Sequence, residues 1–157
     1  MTNIKFDDNQ IVVFKLAGEV FGTPVQLVDE AIPMMKVEKV PLGPEFLNGL
    51  INLRGESVAV IDLREYFGHK REGYAYETRI LVTRVEDRKL GFIVDSVSDV
   101  RPLGEDSVEE PIIHTSQTQF LLGVTHFENG QAVQLVAMDQ ILDAESLEQL
   151  KKTSCDS

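Results

Sequence analysis

The chain repeats itself, and this constrains its fold more than any other feature. The segment EFLNGLINLRGESVAVIDLREYFG (residues 45–68) sets two apolar runs on either side of Asn52-Leu53-Arg54-Gly55, and a similar segment, FLLGVTHFENGQAVQLVAMDQIL (residues 120–142), follows in the second half. Phe46 matches Phe120, Gly49 matches Gly123, the Gly55 turn matches Asn129-Gly130, Val58 matches Val133 and Phe67 matches Leu142. Upstream, VFGTPVQLVDEAIP (residues 20–33) aligns with KLGFIVDSVSDVRP (residues 89–102), pairing Gly22 with Gly91, Val25 with Val94, Val28 with Val97 and Pro33 with Pro102. Self-similarity of this kind means one supersecondary unit encoded twice. The fold must therefore contain two similar units.

Those units are β. Residues 49–53 and 57–63 carry the Ile, Leu and Val density of strands, and Arg54-Gly55-Glu56 supplies the glycine that a tight turn needs where φ is positive. Arg54 then sits at the tip of an apolar hairpin. It is either a solvated turn residue or a planar donor held out to a partner or a nearby carboxylate.

In chain order, residues 1–9 form a polar lead and residues 10–16 a first strand, with residues 20–23 returning. Pro24 opens a short helical segment with Val25, Val28 and Asp29 on neighbouring faces. Val37 and Val40 belong to a strand-like piece, Pro41, Gly43 and Pro44 force a loop, and Pro44-Glu45 starts a helical turn. After the hairpin, a short helix over residues 63–68 is stopped by Gly68. The charged stretch HKREGYAYET (residues 69–78) reads as the linker between repeats. Strands follow over residues 79–85 and 90–95, and residues 96–102 continue that sheet. A polar loop over 104–118 leads to the copied hairpin, 120–127 with 131–138. Asp139 is placed to cap a helix to Leu150 with Ile141, Leu142 and Leu147 on one stripe, and residues 151–157 fray. Many short strands with Gly and Pro turns and few helices predict two small barrels that share an apolar seam.

Composition narrows the function. The 157 residues carry a formal charge of −11, which disfavours phosphate backbones and anionic lipid surfaces, so neither nucleic acid nor direct membrane insertion is expected. The lone Cys155 offers no disulfide and no metal-ligand pair, which suits a cytoplasmic chain, and no apolar run approaches the ~18 residues of a membrane span. Catalysis needs converging groups, and none converge in the sequence. His69 falls in the linker, His114 in the polar loop and His126 in a strand, at no metal-motif spacing. Gly49 and Gly55 are separated by five residues, where a phosphate loop has four, and Glu56 stands in the place of its lysine, so no cofactor is expected. Asp62 and Asp95 at strand ends read as turn caps. Val25 and Val28 fit either core or a groove, and Gly49 either a bulge or a close approach by a partner.

The order of Val12-x-Phe14, Phe21-Gly22, Val28-Asp29-Glu30, NGLINLRG (residues 48–55), VAVIDL (residues 58–63) and GFIVDSVSDV (residues 91–100) resembles the CheW family of chemotaxis coupling proteins over nearly the whole chain. The resemblance implies a mainly β fold of two pseudo-repeated five-stranded SH3-like barrels packed side by side, with short helices and a C-terminal helix. The first barrel is expected over residues 10–68, the second over 79–138 and the helix over 139–150. It also implies a cytoplasmic, non-catalytic adaptor that joins the tips of chemoreceptors to the regulatory domain of the histidine kinase CheA, or serves another motility or surface-sensing pathway. Val28, Glu30, Gly49 and Arg54 match positions that contact the receptor tip or support that surface. Val97, the repeat equivalent of Val28, is expected at the same groove with Val25. The family pattern further suggests that Arg54 pairs with Glu30, and that the kinase binds mainly the second-half barrel at the turns of residues 79–95. Met34-Met35 and the acidic stretch 105–110 match nothing in the family pattern.

Overall fold

The computed structural model of the chain describes residues 10–41, 43–70, 73–103, 108–110 and 120–154. The lead over residues 1–9, most of the 104–118 loop including His114, and Cys155 lie outside the described residues. The elements are β1 (Gln10–Leu16), β2 (Glu19–Pro24), β3 (Val28–Pro33), β4 (Leu47–Leu53), β5 (Glu56–Asp62), α1 (Leu63–Tyr66), β6 (Arg79–Val85), β7 (Arg88–Val94), β8 (Ser96–Pro102), β9 (Leu121–His126), β10 (Ala132–Val136) and α2 (Ala144–Ser154).

Two five-stranded sheets result, in the orders β8-β1-β2-β10-β9 and β3-β6-β7-β5-β4. Each is closed by a bridge between its outermost segments, Glu38 with Leu50 in the β3–β7 sheet and Glu109 with Val124 in the other, both through paired 2.8 Å backbone hydrogen bonds. Neither sheet matches the expected division into residues 10–68 and 79–138. Each takes two strands from one repeat and three from the other. The connections explain this. β2 is flanked by β1 and, in parallel, by β10, and β7 is flanked by β6 and, in parallel, by β5, so neither strand has a free side for the next one. The chain therefore leaves its sheet after β2 and after β7. β8 does not continue the β6–β7 sheet but pairs with β1, Val12 opposite Val100.

Strand periodicity then sorts the apolar residues into three layers. In β1, Val12, Phe14 and Leu16 enter the central layer between the sheets, while Ile11 and Val13 face the interior of their own barrel. In β6, Leu81 and Val85 enter the central layer and Ile80 and Val82 the second barrel. A strand buried on both faces reads as an apolar run, which is how residues 11–14 read in the sequence. The expected shared seam is this central layer, and it also holds Ile141, Leu142 and Leu150.

Two expected helices differ. Val25–Leu27 is a single 3-10 turn, after which Val28 is already strand; Val28, Glu30 and Ile32 are half-buried and Asp29, Ala31 and Pro33 exposed, a period of two that the β-branched residues favour. Asp139 falls inside a separate 3-10 turn, Met138–Gln140. The cap of α2 is Asp143, whose Oδ1 accepts from the Ser146 N–H at 2.8 Å. Pro44 accepts from the Leu47 N–H at 3.0 Å in a turn that does not become a helix.

Gly49 and Gly123 are buried at matching bulges. A Cβ on either would strike the backbone carbonyl of the closing residue, Glu38 or Glu109, and would stand 2.6 Å from Val37 Cγ1 or 2.8 Å from Val108 Cγ1. Gly123→Ala is therefore expected to lower the unfolding free energy in urea by about 1–3 kcal/mol through overpacking at the barrel closure. Asp143→Ala is expected to cost about 1 kcal/mol by loss of the cap, with Asp139→Ala costing less; the reverse order in urea melts would reject this assignment of the cap.

Candidate functional site

The β4–β5 hairpin has a two-residue loop, since Leu53 pairs with Glu56. Arg54 and Gly55 both take positive φ, 52° and 87°, which makes a type I′ turn matched to the strand twist. Asn52 Oδ1 accepts from the Gly55 N–H at 2.8 Å and holds the loop. Such turns favour Asn, Asp and Gly, and a left-handed arginine costs about 1–2 kcal/mol. The position therefore carries a side chain that turn geometry alone does not select.

That side chain reaches Glu30 on the edge strand β3. Nη1 donates to Oε1 at 3.3 Å and Nη2 donates to Oε2 in a closer contact, the forked geometry that guanidinium and carboxylate share. The hydrogen bond and charge of Arg54 hold the Glu30 carboxyl below its ordinary value, and Glu30 raises Arg54 in return. The pair is open to solvent, with side-chain exposures of 65% for Arg54 and 29% for Glu30. It belongs to a larger set. Asp29 pairs with Arg84 at 3.5 Å and Glu56 with Lys89 at 3.6 Å, and the Lys89 charge also lowers Glu30. β5 and β7 run parallel, so their first residues lie at one end of the barrel beside the start of β3. One barrel end thus presents three acid–base pairs on a chain of charge −11.

The sequence candidates divide by location. Glu30 and Arg54 are on the surface and touch each other. Val25, Val28 and Val97 are half-buried against the central apolar layer, Val25 and Val28 at the crossing from β2 to β3 and Val97 at the start of β8, where the chain has just crossed back. Gly49 is buried beneath Val37 and Glu38. Its role is to let the hairpin carrying Arg54 close against residue 38, and it offers no exposed backbone to a partner. Asp29, Arg84, Glu56 and Lys89 escaped the sequence reading, because their proximity depends on pairings between the repeats.

The duplicated unit does not duplicate the site. Asp99 is the repeat equivalent of Glu30, but it pairs with Arg101 of its own strand at 3.0 Å, and that guanidinium stacks 4.2 Å over Phe127. The loop between β9 and β10 is longer and carries Asn129-Gly130, with no arginine at its tip. Asp62, expected as a cap, accepts from the Arg64 N–H at 3.0 Å and starts α1. Among the described residues no three His, Cys, Asp or Glu side chains are grouped to hold a metal, and no helix is long and apolar enough to cross a membrane.

Comparison with known proteins agrees with this architecture. The family model of the CheW-like domain matches residues 10–146. A chemotaxis protein CheW of Treponema pallidum is 33% identical over 107 residues, covering 65% of this chain and 62% of that protein. One of Klebsiella aerogenes is 29% identical over 140 residues, covering 88% of this chain and 84% of its own length. Among solved structures, the scaffolding protein TtCheW from Thermoanaerobacter tengcongensis superposes with a TM-score of 0.78 at 33% identity, covering 88% of this chain and 95% of that one. With two closed five-stranded sheets and a family match across both of them, this chain belongs to the CheW-like family.

Proposed function

We propose that the chain is a chemotaxis adaptor that couples the cytoplasmic tip of chemoreceptors to the histidine kinase CheA, and that it works by assembly without catalysis. The observation that carries the receptor half of this reading is the Glu30–Arg54 pair, an oriented and solvent-open fork at the tip of a rigid hairpin. An exposed pair of this kind adds little to stability, so stability does not account for an arginine in a left-handed turn. Recognition of a partner accounts for it better. Val25, Val28 and Val97 supply half-buried apolar surface along the seam, and Gly49 supports the hairpin from inside.

The kinase surface must be distinct if one adaptor is to hold both partners. Placing it on the turns of residues 79–95 loses its basis, because β6 and β7 lie in the sheet that carries Glu30 and the Arg54 hairpin, and their connecting turn faces the same barrel end. The β8-β1-β2-β10-β9 barrel is the separate body, and we assign the kinase to it. Such an adaptor acts in the cytoplasm at receptor arrays.

Arg54→Glu is expected to weaken binding to a receptor cytoplasmic fragment by about tenfold or more, which is about 1.4 kcal/mol, while leaving the circular dichroism and urea midpoint near wild type. Adding Glu30→Arg should recover part of that loss, and a double variant no better than the sum of the singles would show that Arg54 does not act through Glu30. Glu30 has a depressed folded pKa, so the pair contributes above the ordinary value of 4.5 and is lost as pH falls through the lower folded value. An NMR titration of the Glu30 carboxyl should give a midpoint below 4.5 that returns toward 4.5 in Arg54→Ala.

A further inference from the structure

Met34 and Met35 match nothing in the family pattern, and the structure puts them where the chemistry of sulfur matters. β3 pairs with β6 as far as Pro33, opposite Arg79, and Glu38 then pairs with Leu50 of β4. The chain thus changes partner strand between residues 33 and 38, and this corner closes the β3-β6-β7-β5-β4 barrel. Met34 and Met35 fill the corner. Both are half-buried, and both pack against the apolar interior that holds Ile51, Leu53 and Val58.

The other copy closes without sulfur. There the strand leaves β1 after Pro102, opposite Gln10, and Glu109 pairs with Val124 of β9. The residue equivalent to Met34 is Leu103, which is 5% exposed inside its own barrel. A leucine therefore satisfies the packing of such a corner. Methionine adds a polarizable thioether, and at residues 34 and 35 that thioether is within reach of solvent. Of the four methionines in the sequence, Met1 lies outside the described residues and Met138 is 0% exposed in the central layer. An oxidant in water meets Met34 and Met35 before Met138.

The corner is joined to both members of the receptor-facing fork. Upstream, the same strand leads back through Ile32 to Glu30. Downstream, Val37 lies against Gly49, and Glu38 exchanges 2.8 Å backbone hydrogen bonds with Leu50, in the strand that runs on to the Arg54 turn. Oxidation turns an apolar sulfur into a polar sulfoxide. An oxygen placed against aliphatic side chains loses water without gaining a donor, so the modified side chains are driven out of the corner and the closure is loosened.

We propose that Met34 and Met35 form an oxidation site through which peroxides and hypohalous acids weaken receptor binding by this chain. With hydrogen peroxide, a sulfur lone pair attacks one oxygen, the O–O bond breaks, the sulfur–oxygen bond forms, and the second oxygen leaves as water; the thioether loses two electrons and the peroxide gains them. Methionine sulfoxide reductases reverse the step, so the site can be reset. The loss of receptor binding rests on the adaptor reading; the selective oxidation and the loosened corner do not.

The test uses the full chain in a Cys155→Ser background, treated with hydrogen peroxide and followed by peptide mass spectrometry. Met34 and Met35 should each gain one oxygen, about 16 Da, while Met138 stays reduced, and the urea midpoint should fall. Unmodified Met34 and Met35, or oxidation of Met138 at the same rate in the folded chain, overturns the site. Met34→Leu combined with Met35→Leu repeats the side chain of Leu103 and removes both thioethers, so its urea midpoint should lie near wild type and should not respond to peroxide. Affinity for a receptor cytoplasmic fragment should fall by about threefold or more when the wild-type methionines are oxidised, recover after treatment with methionine sulfoxide reductases, and stay constant in the double variant. Should the double variant be unstable, each single variant should keep part of the peroxide-induced loss. Oxidation that leaves affinity and midpoint unchanged, or an equal loss in the variants, overturns the regulatory role. An unoxidised wild-type chain that does not bind the fragment rejects the adaptor reading, and the mass spectra and urea midpoints then decide the oxidation site by themselves.

Discussion

The structure depends on strands that are buried on both faces. β1 and β7 each serve the interior of one barrel with one set of side chains and the layer between the barrels with the other. Gly22 and Gly91 show how tightly this is built: a Cβ on Gly22 would stand 2.8 Å from Ile11 Cδ1, and one on Gly91 would stand 2.8 Å from Ile80 Cγ2, the repeat-equivalent residue. The central layer cannot be formed from two identical faces. Phe14 is matched in the repeat by Thr83, and Phe92 by Thr23, so each equivalent position holds one large and one small side chain, all four of them buried. The exchange has a cost. Thr23 Oγ1 accepts from the Met138 N–H at 3.4 Å, but Thr83 Oγ1 is buried without a partner, an omission worth about 1–3 kcal/mol. Relief of crowding in the core offsets a loss of this size, since an overpacked core costs a similar amount.

Because the strands are exchanged, a repeat and a barrel are different things. The repeat is a stretch of sequence that folds β1-β2, crosses, then folds β3-β4-β5; the barrel is the first part of one repeat closed by the second part of the other. Neither repeat can bury its central face alone. The two glycine bulges and the two bridges at residues 38 and 109 repeat this logic at the closures, and they give the acidic stretch near Glu109 a structural place that its composition does not suggest. Met34 and Met35 likewise find a place, packed against the interior of the second barrel near its closing segment.

What was legible in the sequence follows the range of the interactions. Hairpins were legible because a two-residue turn and its flanking apolar runs are local: β4, Arg54-Gly55 and β5 fall within two residues of their expected bounds. Strand identity was legible through Ile, Val and Leu. The pairing of β8 with β1, the division of strands between barrels and the gathering of Asp29, Arg84, Glu56 and Lys89 were not, because a duplicated sequence is locally the same whether its halves close on themselves or on each other. The family resemblance supplied the Glu30–Arg54 contact, which no local pattern contains, as the two residues lie 24 positions apart. The helix expected at residues 25–29 failed for a local reason. An i, i+3 spacing of two valines is also compatible with a turn followed by a strand, and the β-branched residues of 28–32 favour the strand.

The pseudo-symmetry is broken where the chemistry is. At the hairpin tips, one copy has Arg54 reaching to Glu30 and the other has Asn129-Gly130, with the acid equivalent to Glu30 satisfied inside its own strand. At the crossings, one copy has Asp95 and Arg64 in an ion pair, and the other has Gln26 and Asp139 at the equivalent positions. In both comparisons the apolar framework is common to the two copies and the ionic groups differ. Apolar burial is non-directional, whereas a forked ion pair works only where two specific side chains meet. The hairpin tips and the crossings thus differ in a few polar and charged residues, on strands that pair in the same order in both copies.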